Sequence, residues 1–202
     1  MINQGIETAG FTTFKLLGAN TRIVYPQTET FSAGAFVKVT TEDANDTLSV
    51  RFLSESNSNL KDCHGNTIGN DLLIEQTYRV GSNDTLTCSV RRFDRLSNTE
   101  MSKLEQVIMA NVARLRVTQF LYNPATSLQS LVGPKANTPA DEQVHSLIAE
   151  ITVRSTLGAY PQAQAQSITY LNGDTENFDS VFKYETHFLS MVVFNGALSK
   201  RE

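Results

Sequence analysis

The chain of 202 residues has few of the residue types on which sugar-binding and metal-binding sites are usually built. It contains no tryptophan, two cysteines and three histidines, and charged residues make up 19% of it. Sugar sites often stack their ligands on large aromatic side chains, so the absence of Trp counts against a glycosidase. The low charge predicts a polar, weakly charged surface.

The chain also lacks the basic excess that nucleic-acid-binding domains usually carry. Its net charge is -4, whereas binding to a phosphate backbone depends on Lys and Arg that release counterions. Basic residues do cluster at Arg91, Arg92 and Arg95, and again at Arg114 and Arg116. Such clusters are common on solvated faces and at subunit contacts. Contact with nucleic acid therefore stays open, although the net charge does not indicate it.

No segment of the sequence resembles a leader or a membrane span. The first ten residues, M-I-N-Q-G-I-E-T-A-G, contain neither a basic region nor an apolar region of the kind found in signal peptides. No apolar run reaches the roughly 20 residues that a membrane helix needs. We therefore expect a chain that is made in the cytoplasm and has no membrane partner.

The two cysteines are too few to predict a disulfide framework or a metal site. Cys63 and His64 are adjacent, and Cys88 lies on a later segment. A Cys63–Cys88 disulfide would require the two segments to be neighbours, and the cytosol would keep it reduced. Two buried thiols are the default interpretation, and we predict neither a metal nor a cofactor.

Motifs typical of enzymes are also missing. The sequence has no phosphate-binding G-x-x-x-x-G-K, no dinucleotide-binding G-x-G-x-x-G and no G-x-S-x-G nucleophile elbow. Cys63 and His64 lie on a polar loop, which does not hold a nucleophile and a base in a preorganised geometry. We therefore predict that the chain is not an enzyme and has no catalytic residue.

One short phrase occurs twice in the first half of the chain. N-D-T-L-S-V-R-F begins at Asn45, and N-D-T-L-T-C-S-V-R-R-F begins at Asn83. Asn and Asp favour turns, and the residues that follow alternate between apolar and polar, as in a half-buried strand. Each copy therefore predicts the turn and second strand of a hairpin. The predicted hairpins pair Phe36–Thr40 with Thr47–Leu53, and Leu72–Val80 with Thr85–Phe93.

The middle of the chain shows helical spacing. Ser97 and Glu100 form a capping-box pattern, and apolar residues then recur every three or four positions, which predicts a helix from Thr99 to about Leu121. A second helix is predicted after Thr138, with Pro139 in its first turn and an end near Gly158. Its predicted buried stripe consists of Val144, Leu147, Ile148 and Ile151.

The C-terminal part alternates again. Ala163–Leu171 is predicted to be extended, and Asn172-Gly173 is typical of a tight turn. The run Phe178–Phe194 is interpreted either as one long strand or as two strands with a bend near Thr186. The predicted fold class is therefore α+β, a mainly antiparallel sheet built from hairpins with two packed helices. We expect one domain over residues 1–202, with an N-terminal arm at 1–19 and a candidate boundary in the loop 123–139.

Three features favour self-assembly over catalysis. The arm is too apolar for a disordered tail, the predicted strands leave sheet edges that could pair with another copy, and the surface carries little charge. The candidate subunit-interface residues are Phe11, Phe14, Leu16, Leu17, Arg91, Arg92, Arg95, Arg114 and Arg116.

This combination of an irregular start, Asn/Asp/Thr-rich hairpins and no cofactor motif resembles bacteriophage virion structural proteins of the capsid or tail. More narrowly, residues 35–122 resemble the coat proteins of single-stranded RNA phages, in which hairpins lead into a helix that packs on a partner subunit. V-R-R-F-D-R-L-S-N-T-E-M-S-K-L would be that passage, although about eighty further residues follow residue 122. The narrower resemblance implies an RNA-facing sheet surface that includes Arg51, Arg91 and Lys38.

The resemblance implies a non-enzymatic, self-assembling component of a phage particle, made in the host cytoplasm and located in the virion. Its partners would be copies of itself and other virion proteins. The alternative is a soluble ligand-binding module with a site in the polar loop near residues 54–70.

Overall fold

The computed structural model describes residues 25–42, 44–54, 60–123, 126, 128–133 and 143–192. The regular structure of this part is β throughout, so the α+β prediction with two packed helices is wrong. Accordingly, the described residues include no helix long and apolar enough to cross a membrane. The strands are β1 (Val37–Glu42), β2 (Asn45–Leu53), β3 (Leu72–Gly81), β4 (Thr85–Asp94), β5 (Glu100–Ala110), β6 (Val112–Asn123), β7 (Leu128–Val132), β8 (Gln143–Arg154), β9 (Gln164–Thr169), β10 (Thr175–Ser180) and β11 (Tyr184–Val192).

The first five strands form one antiparallel sheet in chain order, β1-β2-β3-β4-β5. Both predicted hairpins are confirmed, because β1 pairs with β2 and β3 pairs with β4. The predicted alternation is also confirmed: Leu48, Val50 and Phe52 of β2 are all buried on one face. These residues alternate with polar ones, so the sequence of β2 shows a period of two, although Ser49 and Arg51 on its other face are also buried.

The second sheet has four strands in the order β11-β8-β6-β7. Its inner face packs against the inner face of the first sheet, so the two sheets form a β-sandwich around a shared core. The buried members of this core are Val39, Leu48, Val50, Phe52, Cys63, Ile68, Ile74, Tyr78, Leu86, Cys88, Val90, Val112, Leu115, Val117, Leu147, Ala149 and Ile151.

The first predicted helix is replaced by two strands, β5 and β6. Ser97 does not cap a helix; its N–H donates to the Asp94 carboxylate at 2.7 Å in the turn that ends β4. Asn111 then takes a φ of 60° between β5 and β6, a conformation that Asn tolerates better than most residues and that no helix interior contains. Leu115 and Val117 are buried, which is the period-two pattern that the helical interpretation overlooked.

The described part of the second predicted helix is the strand β8. Leu147, Ala149 and Ile151 face the core, while Glu150 and Thr152 are buried on the opposite face. The run A-E-I-T-V-R at Ala149–Arg154 does alternate between apolar and polar residues, which is a period-two signal that the helical interpretation overlooked. Residues 134–142, which include the predicted cap at Thr138, lie outside the described residues.

The β9–β10 hairpin contacts the outer face of the second sheet, where Glu176 binds Arg114 and Arg116 of β6. The prediction of an extended segment followed by an Asn-Gly turn is confirmed, with Gly173 at a φ of 91°. The run Phe178–Phe194 is two strands as far as Val192, but the break between β10 and β11 lies at residues 181–183 rather than near Thr186.

Candidate assembly surface

The strand β5 lies at the edge of the five-stranded sheet and is paired on one side only among the described strands. Of its eleven residues, ten are exposed and Ile108 is partly buried. The outer edge of such a strand presents unpaired backbone N–H and C=O groups, which are the groups that pair strands of separate molecules. β5 is therefore the element of the described chain best suited to bind another strand.

Four large apolar side chains on β5 are exposed to solvent. Met101 is 63% exposed, Val107 58%, Leu104 43% and Met109 40%. Single exposed apolar residues are ordinary on protein surfaces, but four on one edge strand are a concentration that favours contact with another chain. Natural sheet edges are usually protected by charges, prolines or a covering loop. β5 has Lys103 and Glu105 at its centre but no proline.

The ends of β5 are irregular, whereas its middle is not. The register between β4 and β5 shifts at Met101 and again at Ile108, which are bulge positions without a direct partner in β4. Between them, Ser102–Val107 pairs residue by residue with Thr87–Arg92. The edge therefore offers a regular stretch that is bounded by two bulges.

The arginines predicted for a subunit interface have acidic partners within the chain. The Arg91 guanidinium contacts the Glu100 carboxylate, lies 3.0 Å from that of Glu29, and is 3.9 Å from that of Glu75. Its pKa is raised by its hydrogen bond to Glu100 and by the neighbouring carboxylates, which outweigh its partial burial. Arg91 thus links β4 to its neighbours in the sheet, and an interface role for it stays a prediction.

Arg92 and Arg95 are also paired. Arg92 donates to the buried carboxylate of Asp62 at 2.7 Å, which joins β4 to the loop that precedes β3. Arg95 lies 3.8 Å from Asp71. With 35% of its side chain exposed, Arg95 is the most accessible of the five predicted interface arginines.

Arg114 and Arg116 hold the β9–β10 hairpin against the second sheet. Both guanidinium groups contact the Glu176 carboxylate of β10, Arg114 at 2.5 Å. Arg116 also lies 5.4 Å from the centre of the Tyr170 ring. These two predicted interface residues therefore lie between elements of one chain, with less than a third of each side chain exposed.

Arg51 is not available to an external ligand, which contradicts the RNA-facing surface implied by the coat-protein resemblance. Its side chain is fully buried beneath residues 25–36. The guanidinium donates to the carbonyl oxygens of Ala35, of Pro26 at 2.6 Å and of Ser32 at 2.9 Å. Arg51 therefore anchors this segment to the outer face of the first sheet. Lys38 is exposed on β1.

The N-terminal candidates Phe11, Phe14, Leu16 and Leu17 lie outside the described residues, as does most of the proposed boundary at 123–139. The assembly role of these four N-terminal residues stays a prediction.

The polar loop suggested as a ligand site is built around Asp62 in the part that the structure describes. The buried Asp62 carboxylate accepts the backbone N–H groups of His64 and Asn66, each at 2.9 Å, and also binds Arg92. A groove of about 470 Å³ lies beside it, between Asn66 and Leu104 of β5. The Asp62 carboxylate therefore stabilises the conformation of the loop.

Cys63 and Cys88 are joined by a disulfide, in contrast to the default interpretation of two thiols. The bond attaches the loop to β4, and His64 reinforces it through a contact of 2.8 Å between Nε2 and the Cys88 carbonyl oxygen. The ligand atoms of the two cysteines and His64 lie within 4.8 Å of one another. Sulfurs that are bonded to each other provide no thiolate, either for a metal or for nucleophilic attack.

Sequence reasoning missed β5 because its apolar residues also fit helical spacing. The sequence held no clear signal against a helix here, since helical spacing places Met101, Leu104 and Ile108 on one face and the polar residues between them on the other. Comparison with protein-family models, curated proteins and solved structures finds no match to the chain.

Proposed function

We propose that the chain is a non-enzymatic, self-assembling structural component of a bacteriophage particle, in the capsid or the tail. The exposed edge strand β5, with its four accessible apolar side chains, is the observation that supports the assembly part of this proposal. Its placement in a phage particle rests on the resemblance of the sequence to virion proteins.

Assembly would bury surface that a lone molecule leaves in water. Burial of each exposed apolar side chain of β5 would stabilise the assembly by roughly 25 cal/mol for each Å² of apolar surface removed from water. Strand addition would also pair the edge N–H and C=O groups with partners of fixed geometry. Burial of apolar surface and backbone hydrogen bonding between copies would both stabilise the assembly, so assembly needs no ligand.

The hydrogen bonds of the buried carboxylates support a structural role for the chain. The buried carboxylates of Asp46, Glu75 and Glu150 all accept hydrogen bonds from within the chain. Asp46 accepts the N–H of Val117 at 2.7 Å, and Glu150 accepts that of Leu171 at 3.1 Å. Burial raises the pKa of each carboxyl group, as expected for groups that are removed from water and used to connect elements.

The test is the size of the purified full-length protein. Light scattering coupled to size-exclusion chromatography, followed by electron microscopy of the largest species, should show a discrete oligomer, ring, tube or shell. A monomer that persists at millimolar concentration and across low and moderate salt would contradict the proposal.

A further inference from the structure

We propose that β5 pairs antiparallel with β5 of a second copy about a two-fold axis centred on Leu104. The pairing would join two five-stranded sheets into one continuous sheet. This inference rests on the proposed self-assembly and specifies its first contact, the partner and the register.

Symmetry limits which registers are open to two identical strands. A two-fold axis that makes neighbouring strands antiparallel runs perpendicular to the sheet, so each face of one copy continues into the same face of the other. Because side chains alternate between faces, residues that lie opposite each other must then share the same face in their own strand. The axis must therefore pass beside a single residue of β5, which pairs with its own copy.

The sequence of β5 favours one centre over its neighbours. A centre on Leu104 places Lys103 opposite Glu105 of the second copy, and Glu105 opposite Lys103. The same register pairs Ser102 with Gln106 and Leu104 with itself. Opposite charges and matched polar or apolar side chains stabilise antiparallel pairs. Two antiparallel copies of the stretch Ser102–Gln106 are thus complementary to each other.

Pairing of the two strands is unfavourable if the two-fold axis is centred on either neighbour of Leu104. A centre on Lys103 places two ammonium groups opposite each other, and a centre on Glu105 does the same with two carboxylates. Like charges that lie directly opposite destabilise a strand pair. The charged residues that protect this edge against other strands therefore also select the register with its own copy.

The described contacts leave both charged groups able to form these pairs. Lys103 has no ion-pair partner among the described residues. Arg79 donates to Oε1 of Glu105 at 2.6 Å, which leaves Oε2 accessible to Lys103 of the second copy. Both side chains project from the face of the sheet that bears Ser89 and Arg91, opposite the core.

The proposed register also lies within the regular part of β5. The two bulges at Met101 and Ile108 bracket Ser102–Val107, so the centre of the contact uses backbone without irregularity. Just beyond Ser102 and Gln106, Met101 would face Val107 of the second copy, two of the most exposed apolar side chains of the strand. Bulges at both ends would confine the contact to a short central segment.

Charge reversal tests the register. Lys103→Glu and Glu105→Lys should each weaken self-association by about tenfold or more, measured by analytical ultracentrifugation at low salt, because each creates two like-charge pairs. An equimolar mixture of the two variants should restore association as a heterodimer, and so should the double variant K103E/E105K. The matched control is Lys38→Glu on β1, which makes the same change in net charge and should leave association unaltered.

Cysteine cross-linking gives an independent test. Leu104→Cys would lie opposite its own copy within the Cα separation that a disulfide needs, and diamide would accept the two electrons as the bond forms. Ser102→Cys is the matched control on the same face, and its copy would lie four residues away along the strand. Rapid cross-linking of the first variant and not of the second is expected.

Failure of this inference is distinguishable from failure of the proposed function. If the wild type assembles but the charge-reversed mixture does not recover association, or Ser102→Cys cross-links as fast as Leu104→Cys, the register is wrong and self-assembly stands. If the wild type remains monomeric under all of these conditions, both proposals fall.

Discussion

At the scale of single residues, Arg51 shows how a charge can be held inside this fold. The sequence pattern places it correctly on the face of β2 opposite Val50, but does not reveal that residues 25–36 cover that face. Its guanidinium lies 4.8 Å from the centres of both the Tyr25 and Phe31 rings, and Glu75 is its cross-strand neighbour. Burial lowers the pKa of Arg51 to about 10, so it stays charged at neutral pH.

Arg51→Ala should lower the free energy of unfolding by roughly 3–5 kcal/mol, because it leaves three buried carbonyl groups without their donor and removes one of the two cations near the buried Glu75 carboxylate. Urea denaturation followed by circular dichroism measures the change. The control is Arg79→Ala, which removes an exposed ion pair with Glu105 and should change stability by less than about 1 kcal/mol. Equal losses in the two variants would show that the Arg51 contacts are not structural.

Glu150 should give the protein a pH dependence of known sign. Burial raises its pKa above the ordinary value of 4.5, although the N–H of Leu171 and the charge of Arg116 act in the opposite direction. The folded state therefore holds this proton more tightly than the unfolded state, and the contribution of Glu150 to stability falls as the pH rises above 4.5. The free energy of unfolding of Glu150→Gln, relative to the wild type, should consequently increase as the pH rises above 4.5.

Glu185→Gln is the control for this measurement, because the pKa of Glu185 is lowered by its hydrogen bond to Lys183. The contribution of Glu185 is lost as the pH falls below 4.5, so its variant should change with pH in the opposite direction and in a more acidic range. The same slope in both variants would contradict the assigned burial of Glu150.

At the scale of elements, the repeated Asn-Asp phrase has a structural purpose that the sequence did not disclose. The side chains of Asn45 and Asp46 accept the N–H groups of Leu115 and Val117, at 3.1 and 2.7 Å. In the second copy, the Asp84 carbonyl accepts the N–H of Val112 at 2.8 Å. Both turns therefore bind β6, and so connect the two sheets at the same end of the sandwich.

The disulfide should stabilise the attachment of the loop to β4. Cys63 and Cys88 are 25 residues apart, and closing a loop of that length stabilises a fold by about 3 kcal/mol through the unfolded chain. Reduction should lower the urea midpoint of the wild type accordingly. A Cys63→Ala/Cys88→Ala variant should already have the lower midpoint and should not respond to reductant; a wild type that is equally insensitive would show that the bond contributes nothing.

At the scale of the whole molecule, assembly through β5 should couple stability to protein concentration. A partner that binds the folded state raises the unfolding temperature by mass action, so a hundredfold increase in concentration should raise it by roughly 3 °C or more. Differential scanning calorimetry measures this shift, and Lys103→Glu should show a smaller one. A midpoint that is independent of concentration in the wild type would contradict association of the folded chain.

The sequence alone determined strands such as β2 and β4, because their core-facing apolar residues alternate with polar ones and so show a period of two, even where the polar face is covered as in β2. It also determined the turns, because Asn, Asp and Gly are suited to conformations that other residues avoid. Tertiary structure decided the rest. β5 is exposed on both faces and its apolar residues do not alternate, and in both β5 and β8 the apolar residues also matched helical spacing by coincidence. Likewise, whether Arg51 or Arg116 faces water depends on segments far away in the chain, which local pattern does not contain.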